Sequence, residues 1–203
     1  MWAGDPVKDP QIRANRASNL YGQVRTNCNV NHQGFDYKGK IGDPVLAIKP
    51  GVVVSVDNVD NSAYGKSITL SVNDDSGTMK YAFYGHLSGT DVEVGQVVDE
   101  GASIGSLGAT GNAEENDAHL HFEARSERSP GKGLGGRENP NNLVDTKFQS
   151  QNENANQTLT GVQKVTKTSN GYTVTNQNLN GTEKTVRQPE KLDPIKPRVA
   201  QVF

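Results

Sequence analysis

VEVGQVVDEGASIGSLG (residues 92–108) and GDPVLAIKPGVVVSV (residues 42–56) are the stretches that decide the fold class of this chain. In each, a glycine turn separates two short runs rich in valine and isoleucine, which is the pattern of a β-hairpin. Three more runs have the length of a strand: SITLSV (67–72), KYAFYGHL (80–87) and HLHFEAR (119–125). The pattern predicts a mainly β protein built on a compact antiparallel sheet.

The domain organisation follows from changes in composition along the 203 residues. Residues 1–24 are polar and form a lead-in segment, in which IRANRASNLYG predicts a short helix ending at a glycine. Residues 25–148 contain the strand-like runs and form the main domain. Residues 149–157 are dominated by Asn and Gln, which is typical of an exposed linker. Residues 158–203 predict a small three-stranded β meander followed by a proline-containing tail, a β-rich C-terminal appendage.

The charge and the apolar content exclude several classes of protein. A formal net charge of -2 gives no basic face for nucleic acid or an anionic membrane. No window approaches the roughly 18 apolar residues needed for membrane insertion, and no N-terminal signal peptide is visible. The single Cys28 cannot form an internal disulfide. We interpret it as a small semi-buried side chain rather than as a nucleophile, which would need a dedicated histidine base.

The chain has only four histidines, and all lie in the β-rich domain: His32, His86, His119 and His121. Because side chains two apart on a strand share a face, His119 and His121 should project together. His32 and Asp36 flank a glycine that lets the backbone bend, so both can reach one ion. Two histidines and one aspartate make the three-ligand set of a catalytic zinc site, which leaves two histidines for acid–base work.

Three motifs in the same order resemble one known family. HQGFD (32–36) matches its HxGxD element, YGHL (84–87) its YxHL-like element and HLHFE (119–123) its HxHFE element. The two hairpin stretches resemble the family's GxPVxAxxxGxV and VxxGQxVxxGxxIGxxGxTG stretches. From about Tyr21 to Leu143 the chain therefore resembles the lysostaphin/LytM-type zinc metallopeptidases, which are peptidoglycan endopeptidases.

The resemblance implies a role for each motif residue. His32, Asp36 and His121 would bind Zn²⁺, while His119 and His86 would be the catalytic pair. His119 would be the general base and His86 would stabilise the oxyanion, although these two roles could exchange. The implied activity is hydrolysis of peptidoglycan stem peptides and cross-bridges by metal-activated water, in the periplasm or the extracellular cell wall.

Some residues depart from the family pattern or permit two interpretations. An acidic stretch precedes HLH, and its Glu114, Glu115 and Asp117 could contact a cationic substrate group or form a solvated loop. Tyr84 is expected to line the cleft without acting as a catalyst. Glu123 is either a hydrogen-bond partner of a ligand histidine or a surface residue.

Competing functions remain open at this level. One is a non-catalytic wall-binding or activator protein on the same scaffold. Another is a carrier module with a modified lysine at Lys49, which Pro50 and the missing acidic and methionine neighbours argue against. The absence of a visible leader indicates that either a leader was removed or export uses a device other than an N-terminal signal. Together with the C-terminal appendage, it suggests a delivered antibacterial toxin or part of a larger secreted machine. A toxin would need an immunity or inhibitor protein as partner.

Overall fold

The computed structural model describes residues 4–14, 16–25, 30–113 and 115–148, and three strands in the C-terminal part of the chain. The chain divides into two compact units, Met1–Gln151 and Asn152–Phe203. Cys28, Glu114 and the linker predicted at 149–157 lie outside the described residues, as does the proline-containing tail. None of the described helices is both long enough and apolar enough to cross a bilayer.

Short strands account for nearly all the regular structure. In the first unit a single helical turn, α1, precedes eleven strands among the described residues: α1 Arg16–Asn19, β1 Gly22–Arg25, β2 Val30–His32, β3 Phe35–Lys38, β4 Pro44–Leu46, β5 Gly51–Asp57, β6 Lys66–Asn73, β7 Met79–Thr90, β8 Val97–Val98, β9 Ser103–Leu107, β10 His119–Arg125 and β11 Arg137–Glu138. In the second unit the strands are β12 Gln163–Thr168, β13 Gly171–Gln177 and β14 Glu183–Gln188.

One antiparallel sheet organises the first unit. Its strands run in the order β11-β10-β7-β6-β5-β8; β3 also pairs with β10, and β9 pairs with both β4 and β7. Strands β1 and β2 form a separate two-stranded pair. Strand β10 therefore lies between β3 and β7, so residues from three distant parts of the chain meet around it.

The core lies under one face of this sheet. Along β10, Leu120 and Phe122 are fully buried in the hydrophobic cluster, against Tyr37 from β3 and Tyr84 from β7. Because neighbouring residues on a strand point to opposite faces, His119, His121 and Glu123 project from the other side. The apolar half of HLHFE anchors the strand, and its polar half is left to build a site.

The second unit is a three-stranded antiparallel sheet in the order β12-β13-β14. Val165, Val174 and Val186 lie opposite one another across its strands. The predicted fold class, a mainly antiparallel β domain with a small β-rich appendage, is confirmed.

Candidate metal centre and active site

Sheet register brings the three sequence motifs together. On β10, His121 lies directly opposite Asp36 of β3 on one side and opposite Gly85 of β7 on the other. His86, the residue after Gly85, thereby joins the same region. The pairing of three strands thus assembles residues that are up to 85 positions apart in the chain, Asp36 and His121.

The carboxylate of Asp36 is the centre of the cluster. Its Oδ1 lies 2.8 Å from His121 Nδ1, 3.2 Å from His32 Nε2 and 3.9 Å from His119 Nε2. His32, Asp36 and His121 each offer one donor atom, and these atoms all lie within 4.8 Å of one another. The arrangement brings two imidazole nitrogens and one carboxylate oxygen together.

Two further histidines are oriented by backbone carbonyls. His86 Nδ1 donates a hydrogen bond to Thr110 O at 2.8 Å, and His119 Nδ1 donates to Asp117 O at 2.9 Å. Since a carbonyl can only accept, each Nδ1 carries the proton and each Nε2 is left with a free lone pair. The two rings lie 4.7 Å apart between centroids, so both free nitrogens belong to one site.

A β-bulge directs His86 towards this site. Leu87 pairs with Lys66 and Tyr84 pairs with Ile68, so two residues of β7, Gly85 and His86, oppose one residue of β6. His86 also has φ +60°, and it is the one non-glycine residue with positive φ among those the structure describes. Bulges and left-handed residues reorient side chains at the cost of local strain, and here that strain falls on a predicted catalytic residue.

Burial and hydrogen bonding together set the pKa values of these groups. Burial lowers the pKa of both His86 and His119 to about 4, so each ring is neutral near pH 7. Burial would also raise the pKa of Asp36, but hydrogen bonds from His121 and His32 hold it well below its usual range. For His121 burial lowers the pKa, yet hydrogen bonds to Asp36 and Glu123 outweigh it and hold the pKa above its ordinary value.

A buried carboxylate holds the second ring nitrogen of His121. Glu123 is fully buried, and its Oε1 lies 3.0 Å from His121 Nε2. Its Oε2 accepts from Arg125 Nε at 2.6 Å and from Arg137 Nε at 2.7 Å. The interpretation of Glu123 as a surface residue is wrong, because two arginines neutralise it inside the protein and leave it free to orient His121.

All five predicted site residues line one cleft of about 740 Å³.

The chain also matches a known protein family. The profile described as Peptidase family M23 matches residues 30–132, just over half of the chain. The chain belongs to peptidase family M23. The predicted resemblance to lysostaphin/LytM-type peptidoglycan endopeptidases is thereby confirmed.

The M23 chain is similar to several named proteins and to several solved structures. It is 33% identical over 111 residues to the lipoprotein NlpD/LppB homolog of Pseudomonas aeruginosa, covering 55% of this chain and 34% of that protein. It is 38% identical over 93 residues to the glycyl-glycine endopeptidase ALE-1 of Staphylococcus capitis, covering 46% of this chain and 24% of that protein. The solution structure of lysostaphin superposes with a TM-score of 0.51 and 26% identity, over 77% of this chain and 60% of that one. The chain thus spans at most about a third of these two curated relatives.

The M23 cluster fits the metal on which its family depends. Two imidazoles and one carboxylate, with room for one further ligand, suit zinc. Calcium and magnesium prefer six or more oxygen ligands, and this cluster supplies a single carboxylate. His32, Asp36 and His121 are therefore the residues that could hold zinc.

Several polar residues of the M23 cleft carry no recognisable sequence signal, among them Tyr64, Arg13 and Arg137, and the position predicted for Tyr84 is wrong. Tyr64 lies beside His121, with ring centroids 5.5 Å apart, and Arg13 and Arg137 also line the cleft. Tyr84, expected to line it, is fully buried in the core, where its hydroxyl accepts from Ile48 N at 3.2 Å. Alternation along β7 accounts for that error, because Tyr84 is paired with Phe122 of β10 and so faces the core with it.

Gly34, between His32 and Asp36, is required by close packing. An added Cβ would lie 2.1 Å from the carbonyl oxygen of Phe122. We expect Gly34→Ala to lower the free energy of unfolding by about 1–3 kcal/mol, because β3 must move away from β10. Urea unfolding measures this, with Gly135→Ala as the control, since a Cβ there meets nothing within 4 Å. An equal effect of the two substitutions would refute the packing argument.

The left-handed backbone of His86 leads to an inverted preference between glycine and alanine. At an ordinary strand position glycine is less stable than alanine by about 0.5–1 kcal/mol. At position 86 we expect His86→Gly to be more stable than His86→Ala by about 1 kcal/mol, because glycine removes the left-handed strain. Ser71→Gly and Ser71→Ala in β6 provide the control pair for denaturant unfolding. The same order at both positions would show that His86 is unstrained.

Proposed function

We propose that this chain is a zinc-dependent endopeptidase that hydrolyses peptide cross-links of bacterial peptidoglycan. The observation that carries the proposal is the convergence of His32, Asp36 and His121 on one point, beside two histidines with free Nε2 atoms. Membership of family M23 supports it, as does the similarity to the Staphylococcus capitis relative, a glycyl-glycine endopeptidase. Bound zinc would supply Lewis-acid chemistry, which polarises a carbonyl and lowers the pKa of water to about 7.

In this proposal His119 is the general base. Its Nε2 lies 3.9 Å from Asp36 Oδ1, so it faces the ligand cluster directly. The proton on Nδ1 is committed to Asp117 O, which leaves Nε2 to accept a proton from the attacking water. The resulting imidazolium can then donate that proton to the leaving amine, so the ring returns to its starting state.

His86 is proposed to stabilise charge on the attacked carbonyl. Its ring lies beside that of His119, and the bulge in β7 fixes its direction. Because Nδ1 donates to Thr110 O, Nε2 of the neutral ring has no hydrogen to donate, so His86 stabilises an oxyanion only after Nε2 has taken up one of the protons of the attacking water. The geometry of the two rings is similar enough that their roles could be exchanged.

Glu123 is proposed to hold His121 as a ligand. Carboxylates that accept from the second nitrogen of a ligand histidine fix its ring orientation and raise its basicity. Two arginines hold Glu123 in turn, and the guanidinium of Arg125 lies 3.7 Å from the centre of the Phe83 ring. These contacts therefore orient the His121 ring before substrate arrives.

Digestion of purified sacculi tests the proposed activity. Walls with glycyl bridges and walls with direct cross-links are incubated separately with the protein, and the released muropeptides are identified by mass. We expect new fragments from at least one wall type, lost with a chelator and in His121→Ala. The fragment masses also identify the cleaved bond. A zinc-loaded protein that releases nothing from either wall would favour the alternative, a non-catalytic activator.

The place of action follows from the proposed substrate. Peptidoglycan lies outside the cytoplasmic membrane, so we propose that the protein acts in the periplasm or the extracellular wall. The antibacterial-toxin hypothesis, with its immunity or inhibitor partner, stays a prediction. Growth of sensitive cells exposed to the active protein and to His121→Ala would test it.

A further inference from the structure

An N-terminal segment, residues 4–14, lies outside the family-matched region and contacts Asp36, one of the three proposed metal ligands. Arg13 N donates to Asp36 O at 3.0 Å, and Lys38 N donates to Gln11 O at 2.8 Å. Ile12 forms a bridge with Tyr37. The segment thus continues the sheet beyond β3, although the M23 match begins at residue 30.

The side chain of Arg13 contacts two carboxylates. Its Nη1 lies 3.6 Å from Asp36 Oδ2, the oxygen that does not face the histidines. Its Nε donates to Asp117 Oδ1 at 3.2 Å, and its Nη2 pairs with Asp117 Oδ2. The guanidinium therefore forms a two-pronged contact with Asp117 and reaches the free oxygen of Asp36.

Asp117 connects this contact to the catalytic pair. Its main-chain carbonyl accepts the hydrogen bond that fixes His119 Nδ1, at 2.9 Å. Asp117 ends the short 3-10 turn Glu115–Asp117, within the acidic stretch where the chain departs from the family motif. Its carboxylate is thus engaged by Arg13, and one arginine is connected both to Asp36 and to the segment that orients His119.

We propose that Arg13 is a positioning residue of this site, which orients Asp36 through Oδ2 and holds His119 in place through Asp117. The inference rests on the proposed function, since it concerns the alignment of a ligand and a base. Arg13 and Asp117 neutralise each other, so removal of both should alter orientation more than local charge. Removal of Asp117 alone leaves an uncompensated cation beside the ligand cluster.

Two other roles for Arg13 give different results. A purely structural ion pair would affect folding, but Asp117 is 56% exposed and such pairs contribute little to stability. A substrate-binding cation would affect KM, because Arg13 also lines the cleft. A positioning residue instead affects kcat and zinc affinity while KM stays within about twofold.

The test uses the full chain with the substitutions Arg13→Ala, Arg13→Lys and Asp117→Asn, and the double variant Arg13→Ala/Asp117→Asn. Zinc affinity is measured by competition with a chelator, independently of activity, and kcat and KM are measured on a cross-linked peptide that the wild type cleaves. Lys49→Ala is the matched control, because it removes the Lys49–Asp75 pair of 2.7 Å, which lies outside the cleft. Melting temperatures establish that each variant folds.

For Arg13→Ala we expect zinc affinity and kcat each to fall by about 10- to 100-fold, as for other residues that orient metal ligands. Arg13→Lys should lose less than Arg13→Ala, because lysine keeps the positive charge but lacks the planar guanidinium that contacts both carboxylate oxygens of Asp117. The zinc affinity and kcat of the double variant should be no lower than those of the more impaired single variant. Such non-additivity is expected of residues that act together. Lys49→Ala should match the wild type.

Wild-type zinc affinity and kcat in Arg13→Ala would overturn the proposal, as would a rise in KM alone or simple additivity in the double variant. A wild-type chain that neither binds zinc nor cleaves would be a failure of the proposed function itself, and this inference would fall with it. The two failures differ in which protein shows them, the variant or the wild type.

Discussion

His119→Ala is expected to lower kcat for cleavage of a peptidoglycan cross-link by about 10²- to 10⁴-fold while zinc stays bound. The reason is that His119 Nε2 is the free acceptor beside the ligand cluster, yet it is the most distant of the three ring nitrogens around Asp36 Oδ1, at 3.9 Å. His119→Ala should therefore lose activity and still retain the metal. His86→Ala should show a loss of similar size.

Single-turnover cleavage and zinc content, measured on the same preparations, check this expectation. The double variant His119→Ala/His86→Ala should be little worse than either single variant, because residues of one catalytic unit are strongly non-additive. A His119→Ala protein that cleaves within tenfold of the wild type would remove this residue from the catalytic pair.

Asp36→Ala has the second large expected effect, the loss of zinc itself. Asp36 Oδ1 is the atom around which the ring nitrogens of His32 and His121 converge, at 3.2 and 2.8 Å. Its removal leaves two imidazoles and takes away the negative charge of the ligand set, so we expect zinc affinity to fall at least 100-fold. Asp36→Asn keeps the shape without the charge and should retain part of the affinity.

Thermal unfolding with and without zinc measures this effect. A ligand that binds only the folded state at about 100 times its Kd stabilises it by about 2.7 kcal/mol. The wild type should therefore melt at a higher temperature when zinc is added, whereas Asp36→Ala should not respond. A zinc-induced shift of the same size in both proteins would mean that other residues hold the ion.

The features best predicted from the sequence are those that depend only on residues close together in the chain. Alternation along HLHFE predicted that His119 and His121 share a face, and β10 has this arrangement. Valine-rich runs separated by glycine turns also predicted an antiparallel sheet, which is present. Each conclusion needed only the period of a strand and the preferences of turn residues. The hairpins predicted at 42–56 and 92–108 are wrong, because β4 pairs with β9, and β5 pairs with β6 and β8, so the two runs of each stretch pair with other strands and not with each other.

The remaining features depend on contacts between distant segments. The bulge that gives His86 its φ of +60° arises from the register of β6 against β7, and no local pattern in YGHL specifies it. Arg13 reaches Asp117 across 104 positions, and Glu123 meets Arg137 across 14. Such pairs are set by strand order, so the motifs identify the proposed ligands and not the residues that hold them.

X-ray absorption at the zinc edge tests most directly whether His32, Asp36 and His121 hold zinc, as we propose. The zinc-loaded wild type should contain about one ion per chain with two imidazole ligands and otherwise oxygen, and His121→Ala should lose the ion or show one imidazole. A protein that takes up no stoichiometric zinc would contradict this ligand set. So would a sulfur ligand from Cys28, or an unchanged spectrum in His121→Ala.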